Sequence, residues 1–215
     1  MKPTDLDCCQ ACSDTYRSDA DWDKQWTQDD IHVALRKVSG VDVVAFRGSV
    51  DAKDWFEDFR GLPRHHPLVG WCHRGFLDGM DFVVQELLVA GIGKKKPFAI
   101  TGHSLGAARA LIVAGILTAH KIYPARIITF GTPRPGMSKL SRILNNGGYP
   151  IRHYKNGPDP VADVPFAIPF LWPYRKPQHD LALNVPPEKD EDDPFKWHNI
   201  SLYLLGIAAQ AMRAK

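Results

Sequence analysis

A serine with glycines two positions before and two after it, Gly102-His103-Ser104-Leu105-Gly106, is the arrangement in this chain best suited to covalent chemistry. A serine hydroxyl is a weak nucleophile at neutral pH. It needs a base within hydrogen-bond reach, and the base needs a third group to orient it. The glycines let neighbouring backbone approach without a Cβ clash. The apolar run Pro97-Phe98-Ala99-Ile100 before the motif reads as a buried strand, and Ala107-Ala108-Arg109-Ala110-Leu111-Ile112-Val113-Ala114 after it reads as a helix. The serine therefore sits at a tight, strained turn. Its oxygen is held at a helix N-terminus, where N–H groups and the dipole favour negative charge.

A serine on such a strand-to-helix turn is the nucleophile elbow of α/β-hydrolases, in which acid and then histidine follow along the chain. The acid expected here is Asp159, in the proline-rich turn Asn156-Gly157-Pro158-Asp159-Pro160-Val161 after an apolar strand, with Asp163 as its competitor. The base expected is His198, at the start of the last apolar helix, with His179 as the alternative in a polar loop. His103 flanks the serine and is expected to pack or hydrogen-bond under the turn. An oxyanion needs two N–H donors. One is the backbone of Leu105, the residue after the nucleophile. The second is expected from the turn Phe46-Arg47-Gly48-Ser49 at the end of an early strand.

The elements that must hold these residues are legible from periodicity. Residues 31–38 and 41–46 alternate as two strands about the turn Ser39-Gly40, an antiparallel hairpin. Met80, Val83, Val84, Leu87 and Leu88 recur at helical spacing, which predicts an amphipathic helix over 78–90. A helix continues from the elbow to about residue 120. Short strands follow at 125–130 and 149–154, and a last helix runs from about 198 to 212. Residues 1–30 are acidic, with a short helix expected around 19–26. Residues 157–194, rich in proline and aromatics, read as an ordered loop wall. The alternation of strand and helix predicts one α/β domain over residues 1–215, with a mostly parallel central sheet and helices on both faces.

Composition narrows the function classes. The chain has 215 residues, is 44% hydrophobic and carries a formal charge of +3, which is ordinary for a globular protein and lacks the basic stripe of a nucleic-acid binder. No run reaches the length of a membrane span. The four cysteines, Cys8, Cys9, Cys12 and Cys72, fit no zinc spacing, so neither metal nor cofactor is expected. The residues after Met1 contain no apolar leader, which favours a cytoplasmic location.

Several segments together resemble the class 3 lipases, the family typified by fungal triacylglycerol lipases, which also includes esterases and phospholipases. They are Phe46-Arg47-Gly48-Ser49, Asp54-Trp55-Phe56-Glu57-Asp58, His73-Arg74-Gly75-Phe76, Thr101-Gly102-His103-Ser104-Leu105-Gly106-Ala107, Thr129-Phe130-Gly131-Thr132-Pro133-Arg134-Pro135-Gly136, the Asp159 turn and His198. The resemblance spans about residues 31–210. It implies an α/β-hydrolase fold, with Ser104 as nucleophile, Asp159 as acid, His198 as base, and Ser49 and Leu105 as the oxyanion hole. It implies a lid at 49–60, with Trp55, Phe56 and Phe59 facing an acyl pocket. The apolar wall with Phe166 and Phe170 would line an acyl channel. The expected function is hydrolysis of acylglycerols or shorter esters through an acyl-enzyme, with transient contact to a lipid interface. Phospholipase A1, feruloyl-type esterase and a non-catalytic lipid- or protein-binding module are the rival readings.

Overall fold

The computed structural model describes residues 2–49, 62–94, 96–165, 173–188 and 193–213. In chain order its elements begin with α1 (Asp5–Asp14), β1 (Lys24–Gln28), β2 (Ile31–Val38), β3 (Val41–Phe46), β4 (Pro63–His66), β5 (Gly70–His73) and α2 (Arg74–Leu77). They continue with α3 (Met80–Val89), β6 (Phe98–His103), α4 (Leu105–Ala119), β7 (Arg126–Phe130), α5 (Ser138–Asn145), β8 (Ile151–Asn156), β9 (Asp180–Leu183) and α6 (Ile200–Arg213). Short 3-10 turns cover Val161–Asp163 and Pro194–His198.

The main sheet has the order β1-β2-β3-β6-β7-β8-β9. The first three strands are antiparallel and the rest run parallel. Alternation along each central strand sends side chains to two separate cores. Val44, Phe46, Ile100 and Ile127 face one core with α3, α4 and α5. Ile128 and Phe130 face another with α1 and α6, while Val43, Ala45 and Ala99 face Ala11 of α1. The sheet is thus covered by helices on both faces, the α/β arrangement expected. Helix α4 is buried along its whole length from Leu105 to Thr118, as a helix apolar on every side must be.

The hairpin over β2 and β3 forms with the expected bounds. Its two-residue turn needs positive φ at both positions, and Ser39 (51°) and Gly40 (80°) supply it. The helix expected at 19–26 is absent. The N-terminal helix lies earlier, at Asp5–Asp14, and is started by a capping box in which Thr4 accepts the Asp7 N–H and Asp7 accepts the Thr4 N–H. Its inward face is Cys8, Cys9, Ala11 and Cys12, fully buried. Residues 24–28 instead form an edge strand, because Trp26 pairs across to Val33 and packs against the main core. The cysteines are free thiols, and burial pushes the thiol of Cys8 up to about 12, so it packs as a small apolar side chain.

Register aligns the carboxyl ends of the central strands. Phe46 pairs with Gly102, His103 with Phe130, and Phe130 with Tyr154. The turns that follow, at 47–49, 104, 131 and 157–159, therefore gather along one edge, where ligands of open α/β sheets bind.

Candidate active site

Ser104 connects β6 to α4 with φ 57° and ψ −133°, a conformation an L-residue holds only when its surroundings impose it, at a cost on the order of 1–3 kcal/mol. Its amide donates to the Phe130 carbonyl at 3.0 Å, and its carbonyl accepts from the Ala107 amide at 2.9 Å. A Cβ on Gly106 would lie 2.3 Å from the Phe46 carbonyl oxygen. The first turn of α4 is therefore pressed against the turn after β3. This close approach brings Leu105, at the start of α4, beside the segment that carries Ser49. The Ser104 Oγ is buried and has no hydrogen-bond partner among the described residues.

The second half of the site is held by side chains. The Asp159 amide caps the end of β8 by donating to the Asn156 carbonyl at 3.1 Å. Asp159 Oδ1 accepts the Val161 N–H at 2.9 Å. Oδ2 lies 2.7 Å from His198 Nδ1 and also accepts the Tyr203 hydroxyl. Burial alone would raise the Asp159 carboxyl pKa. The neighbouring His198 and the bonds from His198, Tyr203 and Val161 outweigh that and hold it below the usual carboxylate value. A carboxylate only accepts, so the hydrogen of neutral His198 is assigned to Nδ1 and Nε2 keeps its lone pair. Nε2 is likewise buried without a partner among the described residues.

Two residues position this pair. Asn156 donates through Nδ2 to the carbonyls of Val185 (2.9 Å) and Trp197 (3.2 Å), which fixes the segment entering His198. Gly131, at φ 54°, lies against the pair itself, since a Cβ there would fall 2.6 Å from His198 Cε1 and 3.0 Å from Asp159 Oδ2. Tyr203 carries no local signal in the sequence, because the carboxylate it serves lies 44 positions away. Gly131 was visible in the Phe130-Gly131-Thr132 motif, but its contact was not.

Ser49, His103, His198, Tyr16 and Phe195 border one cleft of about 370 Å3. Ser104, Asp159 and His198 thus converge on one edge of the sheet, with Ser49 and Leu105 on the adjoining turns. The competitors lie elsewhere. Asp163 pairs with Lys155 at 2.6 Å and is partly exposed. His179 is exposed in the loop before β9. His103 hydrogen-bonds beneath the turn, as expected, and its ring also stacks on that of His198 with centroids 4.6 Å apart. Trp55, Phe56, Phe59, Phe166 and Phe170, expected to face the acyl group, lie outside the described residues.

A family model described as lipase (class 3) matches residues 43–168, more than half of the chain. The chain belongs to the class 3 lipases. It is 30% identical over 156 residues to a secreted mono- and diacylglycerol lipase of Fusarium solani, a match covering 69% of this chain and 46% of that protein. It is 32% identical over 151 residues to a chloroplastic phospholipase A(1) of Arabidopsis thaliana, covering 59% of this chain and 34% of that protein. The chain therefore spans less than half the length of these relatives. A solved triacylglycerol lipase, whose catalytic centre is described as a serine protease triad, superposes with a TM-score of 0.65 at 26% identity, covering 77% of this chain and 72% of that one. The fold is that of the α/β-hydrolases. The cytoplasmic location expected from the first residues is corrected, since the Fusarium lipase is a secreted protein and points outside the cell. The first residues do not decide location, because the match covers under half of that relative. Among the described residues, no helix is long and apolar enough to cross a membrane.

Proposed function

We propose that this class 3 lipase chain is a serine carboxylic-ester hydrolase, acting on acylglycerols or shorter acyl esters through an acyl-enzyme. Ser104 Oγ attacks the ester carbonyl carbon as its proton passes to His198 Nε2. Asp159 stabilises the resulting imidazolium and keeps the ring in the required tautomer. The N–H groups of Ser49 and Leu105 receive the developing oxyanion. The tetrahedral intermediate collapses, the alkoxide leaves with the proton from Nε2, and the acyl group remains on Ser104. Water then repeats the sequence, giving up its proton to Nε2 and releasing the carboxylic acid. Transient contact with a lipid interface belongs to the same reading, as does treating residues 1–215 as one unit, since α1 and α6 pack together against the sheet.

The observation that carries this reading is the pair of buried, unpartnered atoms on the two reacting groups, Ser104 Oγ and His198 Nε2. Most buried polar groups are partnered, and among the few buried side-chain atoms left open in the described residues, which include His153 Nε2, these two are the ones between which the proton must move. The test is turnover of p-nitrophenyl butyrate together with fluorophosphonate labelling. Ser104→Ala should lower kcat on the order of 10⁶-fold and abolish labelling. Parent-level turnover in that variant would remove Ser104 from the reaction. A folded parent that fails to label would favour a binding module. Phospholipase A1 activity is the second reading, favoured by the Arabidopsis relative. Parallel assays on tributyrin and phosphatidylcholine separate the two.

A further inference from the structure

Tyr16 lies outside the residues matched by the family model and outside every motif in the sequence. It follows α1, and its ring closes one side of the cleft. Its hydroxyl oxygen accepts the Gly48 N–H at 3.1 Å and lies 2.8 Å from His103 Nδ1. On the other side of that ring, His103 Nε2 lies 2.9 Å from the carbonyl oxygen of His198.

The donors and acceptors along this path can be assigned. A carbonyl oxygen only accepts, so the hydrogen on Nε2 of His103 points at His198. Burial and the neighbouring His198 hold the pKa of His103 down to about 3, so the ring is neutral and its Nδ1 is bare. The Tyr16 hydroxyl must then donate to Nδ1. One continuous chain results: Gly48 N–H to Tyr16 oxygen, Tyr16 O–H to His103 Nδ1, and His103 Nε2–H to the His198 carbonyl. Its two ends are informative. Gly48 precedes Ser49, the residue read as an oxyanion donor, and lies so close to the nucleophile that a Cβ there would fall 2.7 Å from Ser104 Cβ. The other end is the backbone of the base, whose ring stacks on His103.

We propose that Tyr16 is a positioning residue for ester hydrolysis. Its single hydroxyl ties the oxyanion turn to the segment carrying the base and holds both in register with Ser104. The inference rests on the hydrolase reading above. With the Gly48 N–H committed to Tyr16, the Arg47–Gly48 peptide plane is fixed, and it leads directly into the next plane, whose Ser49 N–H is aimed where charge develops. Removing the hydroxyl releases that plane and leaves the His103 Nδ1 without its donor. Both losses fall on contacts that matter in the transition state rather than in substrate binding, so kcat should fall and KM should not.

The experiment compares the parent with Tyr16→Phe on p-nitrophenyl butyrate, with kcat expressed per serine titrated by a fluorophosphonate over long incubation. Titration counts only folded, competent sites, so a folding defect lowers the titre and not kcat per site. The expected result is a kcat per site lower by about 10- to 100-fold, below the loss of a whole oxyanion donor, with KM within about twofold of the parent. A kcat per site within about twofold of the parent overturns the inference. So does a loss carried wholly by KM, which would make Tyr16 a wall of the substrate pocket only. An active parent with an unaffected variant sinks this inference alone, whereas a parent that neither labels nor turns over sinks the hydrolase reading with it.

Discussion

The two halves of the candidate site are built by different means. The nucleophile half is a backbone device: Ser104 is held in its strained conformation by bonds to Phe130 and Ala107 and by the close pass of Gly106 beneath β3. All of its defining residues but Phe130 and the β3 turn lie within a few positions of the serine. The acid–base half is a side-chain device. Asp159, His198 and Tyr203 come from the β8 turn, a 3-10 turn and α6, and His198 and Tyr203 are both oriented by bonds to Asp159. Asn156, at the end of β8, holds the segment entering His198 through the Trp197 carbonyl. A backbone device is set once the strand and helix form. A side-chain device is only as good as its weakest hydrogen bond, so graded losses should appear in the second half and all-or-none losses in the first.

Ser104→Ala sets the upper bound on any loss, since it removes the reacting atom. The sharpest test within the acid–base half is Asp159→Asn. The amide can present an N–H to His198 Nδ1, which stabilises the wrong tautomer and places the hydrogen on Nε2. A loss in kcat on the order of 10⁴-fold is expected, with the labelling rate falling in step. If Asp163→Asn matched that loss while Asp159→Asn stayed near the parent, the acid would have to be reassigned to Asp163, against the salt bridge that now occupies it.

The same contrast explains what could be read in the sequence. The elbow, the hairpin over residues 31–46 and the helix carrying Met80, Val83, Val84 and Leu87 are specified by local spacing, and they stand where that spacing puts them. Asp159 and His198 could be singled out by placement, one in a proline-rich turn after a strand and the other at the start of the last apolar helix, since chain order alone admits Asp163 and His179 as well. Tyr203 and Tyr16 could not, since each acts through a partner 44 or 87 positions away. The early helix lies before the position expected for a related reason: three of its four inward residues are cysteines, which do not read as a conventional apolar stripe. Strand β9 is not legible from the sequence because Asp180-Leu181-Ala182-Leu183 is short and half exposed, and only its pairing with β8 makes it a strand.

Tyr203→Phe probes the weaker links. The hydroxyl gives one bond to Asp159 Oδ2 and accepts one from the Asn156 amide at 3.2 Å. Removing it leaves the His198 bond and the Val161 bond to the carboxylate in place. A kcat about tenfold lower is expected, near the worth of one charge-assisted bond, with KM little changed. A loss as large as that of Asp159→Asn would mean that Tyr203, rather than His198, governs where the carboxylate points.

The smallest effect is read in stability against pH, and it again separates the halves. His103 lies under the elbow and His153 is within the acid-bearing strand β8. Burial lowers both to about 3, helped by His198 in the first case and by Lys176 in the second. Both nitrogens of His103 are partnered. His153 is held at Nδ1 by Thr129, which itself accepts from Thr132, while its Nε2 has no partner among the described residues. In the unfolded chain each takes up a proton near pH 6.5, whereas in the folded protein each stays neutral down to about pH 3. Between those values the unfolded state binds more protons, so stability rises with pH and is lost as pH falls, on the order of 1 kcal/mol per pH unit for each histidine. Asp159, held below its usual value, adds a loss only below about pH 4. Urea midpoints at pH 7.5, 6 and 5 should therefore fall steadily, and His153→Gln should make that fall shallower even where it lowers the midpoint at pH 7.5. A midpoint flat from pH 7.5 to 5 would mean that both rings take up protons in the folded state as readily as in the unfolded one. The enclosed histidine of the acid half would then be no drier than the one beside the cleft.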